Sequence, residues 1–149
     1  MDRTGSKLHL VTDRRGTPLA AVVTAGQAHE SKWFAAVMEK VKRPRGVGWP
    51  RKLAGDKGYS YPSVECWLLD REIESVIPQR SDQIKRNGKA PLDKRAYRKR
   101  NAIERCVGWL KENRHFATRY DKLAANFLAF VTMAFIRRYL RLLHPSDTP

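Results

Sequence analysis

Acidic residues are scarce in this sequence of 149 residues. It contains 15 Asp plus Glu against 30 Lys plus Arg, which gives a formal net charge of +15 and a pI near 10.3. So large an excess of positive charge disfavours a neutral partner and favours a polyanion. Nucleic acid is therefore the first partner to expect. Enough hydrophobic residues remain, 42% of the chain, to build the core of one folded domain.

Paired cysteines and metal-binding histidine patterns are missing as well. Cys66 and Cys106 are the two cysteines, and neither is part of a CxxC pair. The four histidines lack the spacing of zinc ligands. The pattern therefore gives no sign of a zinc site. We predict that both cysteines are buried thiols in a reducing cytoplasm.

Long hydrophobic runs are also absent. The longest one, residues 123–136, has about 14 residues and includes Asn126, whereas a membrane-spanning helix needs about 20. The opening letters "MDRTGSKLHL" lack the apolar centre of a secretion signal. We predict that the run forms a core helix and that the protein has no membrane partner.

The first half of the chain alternates between strand and helix patterns. Residues 7–13 and 17–24 are rich in strand formers and flank a short turn with a glycine, which predicts a β-hairpin. The apolar spacing in residues 27–41 predicts an amphipathic helix. Short strands at residues 53–54 and 73–78 then enclose a helix, and the three together predict a parallel βαβ unit.

Turn and cap residues place the boundaries of the remaining elements. Ser60 is a plausible N-cap for the helix of the βαβ unit, because Pro62 falls in its first turn. Residues 79–94 are polar and basic, and they predict a mobile loop. Two helices follow, at about residues 95–114 and 122–143. This order of elements predicts an α/β fold with a mixed sheet flanked by helices.

Two carboxylates have surroundings that point to chemistry. Asp56 follows the strand at residues 53–54, where the ligand-binding residues of open α/β sheets gather. Glu104 is the lone acid in the basic stretch "AYRKRNAIERCVGWLK". Two such carboxylates brought together could hold divalent metal for in-line attack on a phosphate, and Mg²⁺ prefers oxygen ligands. On spacing alone, an ordinary loop role for Asp56 is the more common interpretation.

The basic stretch shows a pattern of its own. As one helix of about 100° per residue, it places four functional side chains on one narrow face: Tyr97, Arg100, Glu104 and Lys111. Gly108 shares that face, although glycine in a helix costs about 1 kcal/mol relative to alanine. Either a DNA backbone or a second helix could approach closely there. Alternatively, Arg100 simply pairs with Glu104 four residues on, and Lys111 is a solvated charge.

This pattern resembles a known family. The spacing Tyr97-x2-Arg100-x3-Glu104-x6-Lys111 is similar to the Y-R-E-K signature of DDE transposases from bacterial insertion sequences, in the IS-four and IS-five groups. The stretches "LAGDKGY" and "TAGQAHES" resemble that family's second acidic segment and the region before it. "ATRYDKLAANFLAF" resembles the next helix of the IS-five group. Together the likeness covers residues 7 to about 143.

The resemblance implies an RNase H-like fold and Mg²⁺-dependent (or Mn²⁺-dependent) DNA cleavage and strand transfer, with transposon ends and target DNA as partners. Asp56 and Glu104 would be the second and third catalytic, metal-binding carboxylates. Arg100 and Lys111 would contact phosphates, and Tyr97 would stack or hydrogen-bond at the flanking nucleotide. The resemblance further implies a homo-oligomer when the protein is complete, located in the bacterial cytoplasm at the nucleoid.

The likeness is incomplete before residue 7. The family's first catalytic Asp lies on a central strand before the hairpin, whereas Asp2 has no strand around it and Asp13 lies at the hairpin turn. We therefore interpret residues 1–149 as the C-terminal part of a transposase catalytic domain that lacks this strand and has little or no activity alone. The explanations left open are a degraded gene, a mis-called start codon, and a downstream frame completed by an upstream-frame product.

A second function remains open at this point. The chain could be a non-catalytic DNA-binding protein that inhibits transposition or pairs with the full-length transposase. Steeply salt-dependent binding without metal-dependent cleavage would favour that interpretation. An unrelated RNA-binding scaffold would explain the charge, but it leaves the surroundings of Asp56 and Glu104 without an explanation.

Overall fold

Two segments of the chain, residues 5–112 and 124–144, are described in the computed structural model. Within them the backbone forms four strands, six α-helices and one 3₁₀ turn. In chain order these are β1 (Ser6–Thr12), β2 (Pro18–Ala25), α1 (Glu30–Glu39), β3 (Lys52–Ala54), the 3₁₀ turn (Lys57–Tyr59), α2 (Pro62–Leu69), β4 (Glu74–Val76), α3 (Ser81–Asn87), α4 (Lys94–Arg98), α5 (Asn101–Glu112) and α6 (Ala124–Leu143). They belong to two compact units, one containing residues 5–28 and 102–144, the other residues 29–101.

β1 and β2 form the hairpin of the first unit. The strands pair antiparallel, with Ser6 opposite Ala25. Buried side chains alternate with more exposed ones along β2, as in a sheet with one covered face. α6 packs on β2, and α5 contributes three buried side chains, Ala102, Cys106 and Leu110. The hairpin predicted from residues 7–13 and 17–24 is confirmed.

β3 and β4 form a parallel pair in the second unit. Lys52 lies opposite Glu74 and Ala54 opposite Val76, with α2 as the connection. The predicted βαβ unit is therefore confirmed. Its core consists of buried apolar side chains from α1, α2 and β4 and the residues that flank β4: Phe34, Val37, Met38, Val64, Leu68, Ile73, Val76 and Ile77. Burying one such leucine completely contributes about 1.5–3 kcal/mol to stability.

The α/β class is confirmed, with the strands in two separate pairs. One two-stranded sheet is antiparallel and the other parallel, where the sequence predicted one mixed sheet. An alternating pattern tells which face of a strand is buried. It does not tell which other strand supplies the hydrogen bonds, so the pairing could not be read from the letters.

Residues 79–94 contain a helix where the sequence predicted a mobile loop. α3 buries no side chain, so no apolar periodicity marks it. Gln83 holds the helix instead, because its Oε1 accepts hydrogen bonds from the Arg80 amide (2.9 Å) and the Ser60 hydroxyl (2.7 Å). With its hydroxyl engaged there, Ser60 does not cap α2 as predicted, and Tyr61 occupies the N-cap position. The prediction of Pro62 in the first turn is confirmed.

The helix predicted over residues 95–114 is interrupted. α4 ends, and a two-residue turn follows before α5 begins at Asn101. Like charges four residues apart, such as Arg95 on α4 and Lys99 in the turn, destabilise a continuous helix. Asn101 adds to this effect, because its side chain competes for backbone hydrogen bonds. The wheel that placed four functional residues on one face is therefore wrong as a description of one helix.

The prediction of two buried cysteines is half wrong. Cys106 is 2% exposed, whereas Cys66 is exposed. Val64 and Leu68 form the buried side of α2. Cys66 lies two residues from each of them, about 200° around the helix axis, so its side chain faces outward.

α6 is a surface helix with one buried side and not the core helix that the apolar run predicted. It buries Phe127 and Val131, but Met133 is 65% and Ile136 54% exposed. None of the described helices is long and apolar enough to cross a membrane. Some sequence expectations lie outside the described residues: Asp2, residues 113–114 and 122–123 of the predicted helices, and residues 117–123 of the motif that resembles the IS-five group.

Candidate active site

Asp56 lies just beyond the carboxyl end of β3, as the sequence predicted. The strand's last hydrogen bond runs from the Gly55 amide to the carbonyl of Val76 (3.4 Å). Asp56 then caps the 3₁₀ turn, because its Oδ1 accepts a hydrogen bond from the Lys57 amide (2.6 Å). The side chain is exposed. One carboxylate oxygen is therefore fixed by the backbone, and the group as a whole faces solvent.

An open cleft of about 450 Å³ surrounds Asp56 in the second unit. Two other carboxylates line it, Glu30 and Asp82, together with the cations Lys57 and Arg80. Arg80 donates to Asp82 at 3.1 Å, so this pair is already neutralised. Asp56 and Glu30 are the other two carboxylates of this cleft.

Glu30 is a neighbour of Asp56 that the sequence reasoning did not single out. It lies in the first turn of α1, and a Cβ built on Gly58 would be 2.8 Å from its Oε2. Gly58 therefore leaves the space that the Glu30 carboxylate occupies. Burial, and then the charges of Glu30 and Asp56, raise the pKa of Tyr59 to about 12. The phenol consequently stays neutral between these carboxylates.

The lining of the cleft also contains an aromatic ring and cations. The guanidinium of Arg80 lies 4.5 Å from the centre of the Tyr61 ring, a distance typical of a cation–π contact. The Tyr61 hydroxyl and the His29 Nε2 are 2.6 Å apart, within hydrogen-bond distance. The sequence singles out neither of these two residues, nor Glu30. No periodic pattern marks them, because their meeting is a product of the fold.

Glu104 lies on α5 in the first unit, on the exposed side of the helix. Lys111 follows seven residues later, which is about 20° short of two full turns, so both share one face. Gly108 lies between them, and a Cβ at that position would meet nothing within 4 Å in the described structure. Among the described residues, therefore, no second helix packs closely against Gly108.

Tyr97 and Arg100 lie before α5, in the second unit. Tyr97 belongs to α4, and Arg100 lies in the turn that follows. The Arg100 guanidinium is 5.5 Å from the centre of the Tyr97 ring, and its amide donates to the Tyr97 carbonyl (2.9 Å). The two side chains therefore form one local pair of a cation and an aromatic ring, a combination suited to a nucleotide.

The oxygen ligands present suit a hard divalent metal ion. Asp56 and Glu104 are exposed carboxylates, and carboxylate oxygen is the donor that Mg²⁺ and Mn²⁺ take. Among the residues of the described segments, no group of three or more His, Cys, Asp or Glu side chains could hold a metal ion together. The donor type fits the ion that the resemblance implies, but each carboxylate offers only part of a coordination shell.

Comparisons with known proteins place these residues in context. Residues 2–137 match the family model described as "Transposase DDE domain". A relative from Burkholderia cepacia, described as a candidate transposase for insertion sequence element IS402, is 31% identical over 136 residues, which is 88% of this chain and 61% of the relative. A second from Brucella ovis, described likewise for element IS6501, is 27% identical over 140 residues, 91% of this chain and 98% of the relative. No solved structure matches.

The family model covers most of the chain, including Asp56, Glu104 and the exposed face of α5. The chain spans 61% of the length of the IS402 relative, so what the whole of that protein does is a separate question from what these residues form. Transposase DDE domains as a class use divalent metal ions. The chain belongs to the family of transposase DDE domains.

Proposed function

We propose that this chain is the C-terminal part of the catalytic domain of an insertion-sequence transposase of the IS-four or IS-five type, with an RNase H-like fold and the Y-R-E-K signature. Its reaction is divalent-metal-dependent DNA cleavage and strand transfer. The observation that carries the proposal is Asp56, an exposed carboxylate at the carboxyl end of a parallel strand beside an open cleft, where α/β folds place their sites.

Asp56 and Glu104 are the proposed metal-binding carboxylates. Bound Mg²⁺ or Mn²⁺ would stabilise the attacking and leaving oxygens of the phosphate. The hydrogen bond from the Lys57 amide fixes one oxygen of Asp56, which orients the group toward a ligand. Glu104 has α5 as a rigid base, with Ala102, Cys106 and Leu110 buried behind it.

DNA contacts are assigned to Tyr97, Arg100 and Lys111. Lys111 shares the exposed face of α5 with Glu104, so an ammonium group lies two helical turns from the carboxylate. Arg100 and Tyr97 present a guanidinium and a ring next to one another. The open face at Gly108 lets a sugar-phosphate backbone approach the helix closely.

The proposal includes a first catalytic Asp supplied from outside this sequence, on a strand before the hairpin. The chain alone then has two of three carboxylates and little or no activity. An upstream-frame product, a full-length transposase or an upstream-extended version of this chain would complete the site. The completed protein is proposed to work as a homo-oligomer at transposon ends, in the bacterial cytoplasm.

A strand-cleavage assay tests this function. An upstream-extended version is compared with the present chain on terminal-repeat DNA with Mg²⁺ or Mn²⁺. We expect cleavage from the extended version only, abolished by a chelator. Asp56→Asn and Glu104→Gln should each lower it by more than about 100-fold, because changes in residues that only support a metal ligand already cost about 10–100-fold.

Asp82→Asn is the matched control for that assay. It removes a carboxylate from the same cleft, but one already engaged by Arg80, and it should leave cleavage within a few-fold of the parent. Full cleavage by Asp56→Asn would show that Asp56 is not a metal-binding residue of the active site. Salt-dependent DNA binding by every version without cleavage by any of them would replace the transposase function with a non-catalytic one.

A further inference from the structure

A small cavity in the first unit is lined by six residues, three of which are arginines. Its volume is about 60 Å³, and the lining residues are Arg15, Gly16, Arg105, Cys106, Trp109 and Arg138. Three separate elements supply the arginines: the turn between β1 and β2, α5, and α6. The cavity is distinct from the cleft around Asp56, because the two share no lining residue.

The three arginines have no carboxylate partner within the described residues. The ion pairs found there involve Lys52, Arg80 and Arg86. Arg105 donates weakly, at 3.4 Å, to the carbonyl of Arg14. The guanidinium of Arg138 lies 5.5 Å from the centre of the Trp109 ring. Like charges that converge on one cavity repel each other, so an anion placed among them is attracted by all three.

Asp13, whose charge acts on the Cys106 thiol of this cavity, is already engaged in hydrogen bonds. Asp13 Oδ1 accepts hydrogen bonds from the amides of Arg15 and Thr17, both at 2.8 Å, so this carboxylate holds the hairpin turn in shape. Burial raises the pKa of the Cys106 thiol to about 11. The thiol is therefore neutral at physiological pH, and the cavity floor adds no negative charge.

The turn that carries Arg15 is seated closely against α5. Gly16 has a φ of +85°, and a Cβ at this position would lie 2.9 Å from the carbonyl oxygen of Ala102. A residue with a side chain would therefore be strained and would also push the turn off the helix. The positions of Arg15 and Arg105 relative to each other are thus set by backbone contact and not by two flexible side chains alone.

We propose that this cavity binds one phosphodiester group of DNA, between the guanidinium groups of Arg15, Arg105 and Arg138 and beside the Trp109 ring. The small volume admits a phosphate group and excludes a base. Guanidinium groups match the geometry of phosphate oxygens with paired hydrogen bonds. The choice of DNA as the source of the phosphate depends on the proposed function. The site adds a backbone contact that the assigned residues do not include.

Nuclear magnetic resonance of the tryptophan indole N–H groups tests the site in the full chain. Inorganic phosphate is added in steps to the protein at constant ionic strength, and a matched titration with chloride is the reference. We expect a saturable shift of the Trp109 signal. Trp49 is the internal control, because Arg43 stacks over its ring at 4.0 Å and neither residue lines the cavity. Equal, non-saturating shifts of both signals would overturn the site.

DNA binding supplies the second measurement. The double variant Arg105→Gln/Arg138→Gln should lose the Trp109 shift and reduce the slope of log K against log salt by about 0.9, the value of one phosphate contact. Arg137→Gln removes a charge from an exposed position of α6 outside the cavity, and it should keep the Trp109 shift. Arg105→Lys keeps the positive charge but removes the planar guanidinium group. It should weaken phosphate binding while the fold is retained.

The outcomes separate this inference from the proposed function. If DNA binds with unchanged slope to the double variant, the cavity is not a phosphodiester site, and the transposase proposal stands. If inorganic phosphate saturates Trp109 but duplex DNA neither binds nor shifts that signal, DNA is the wrong occupant. In that case the proposed function fails as well.

Discussion

At the scale of single residues, a substitution of Gly108 should change stability and DNA binding in opposite directions. Gly108→Ala should raise the free energy of unfolding by about 0.5–1 kcal/mol, because alanine is the better helix former and the Cβ meets nothing within 4 Å in the described structure. It should also weaken DNA binding, because the methyl group stands on the face proposed to approach the backbone. Urea unfolding and fluorescence anisotropy with duplex DNA measure the two effects.

Asn126→Ala is the control for this pair of opposite effects. Asn126 is an exposed position of α6, so the change improves helix propensity away from the proposed DNA face and should stabilise without weakening binding. If Gly108→Ala stabilises the chain and leaves DNA affinity unchanged, DNA does not approach α5 closely at this point. The glycine would then have no role in the proposed interface.

Individual functional residues differ in how much the sequence says about them. Asp56 and Glu104 could be singled out, because a carboxylate after a strand and a lone acid in a basic stretch are local features. Glu30 could not, because its closeness to Gly58 joins residues far apart in the chain. The arginine cavity was missed for the same reason, since its three cations come from three elements.

At the scale of elements, the start of α4 depends on Asp93. A hydrogen bond from the Ala96 amide (2.9 Å), followed by one from Lys52 (2.9 Å), lowers the pKa of Asp93 to about 2 from an ordinary 3.8. A lowered carboxyl pKa stabilises the fold above pH 3.8, and this contribution is lost as pH falls toward 2. Asp93→Asn keeps a capping oxygen but not the charge, so its unfolding midpoint should depend less on pH over that range.

Lys52→Met separates the two causes of the low pKa. Without the ammonium group, the pKa of Asp93 should rise but stay below 3.8, because the Ala96 amide still donates to the carboxylate. The carboxyl carbon shift measures this value by nuclear magnetic resonance. A wild-type Asp93 that titrates at 3.8, or a full return to 3.8 in Lys52→Met, would contradict the assigned order of causes.

Elements whose burial is periodic were predictable, and elements held by side-chain hydrogen bonds were not. The hairpin and the βαβ unit carry alternating or contiguous apolar residues, so local patterns were sufficient. α3 buries no side chain and depends on Gln83 reaching Ser60, 23 residues away. The interruption before Asn101 was missed because the wheel assumed a continuous helix, although the run of like charges was visible.

At the scale of the whole molecule, the net charge of +15 predicts the form of DNA binding. Log K should fall linearly with log salt, with a slope of about −0.9 for each phosphate contact on duplex DNA. If 6–10 phosphates are contacted, affinity falls by about 10³–10⁵-fold between 50 and 200 mM salt. Fluorescence anisotropy at several salt concentrations, without divalent metal, measures the slope. A flat response would mean that the charge serves solubility alone.

Two substitutions that each remove one positive charge then test which residues contribute to that slope. Lys111→Gln should reduce its magnitude by about 0.9, because one proposed phosphate contact is lost. Lys40→Gln removes the same charge from the end of α1 and should leave the slope unchanged. Glu104→Gln should bind DNA as well as the parent or better, since it removes a negative charge from the proposed interface. Weaker binding by Glu104→Gln would show that the carboxylate contributes to DNA recognition itself, and its role could then not be confined to holding metal.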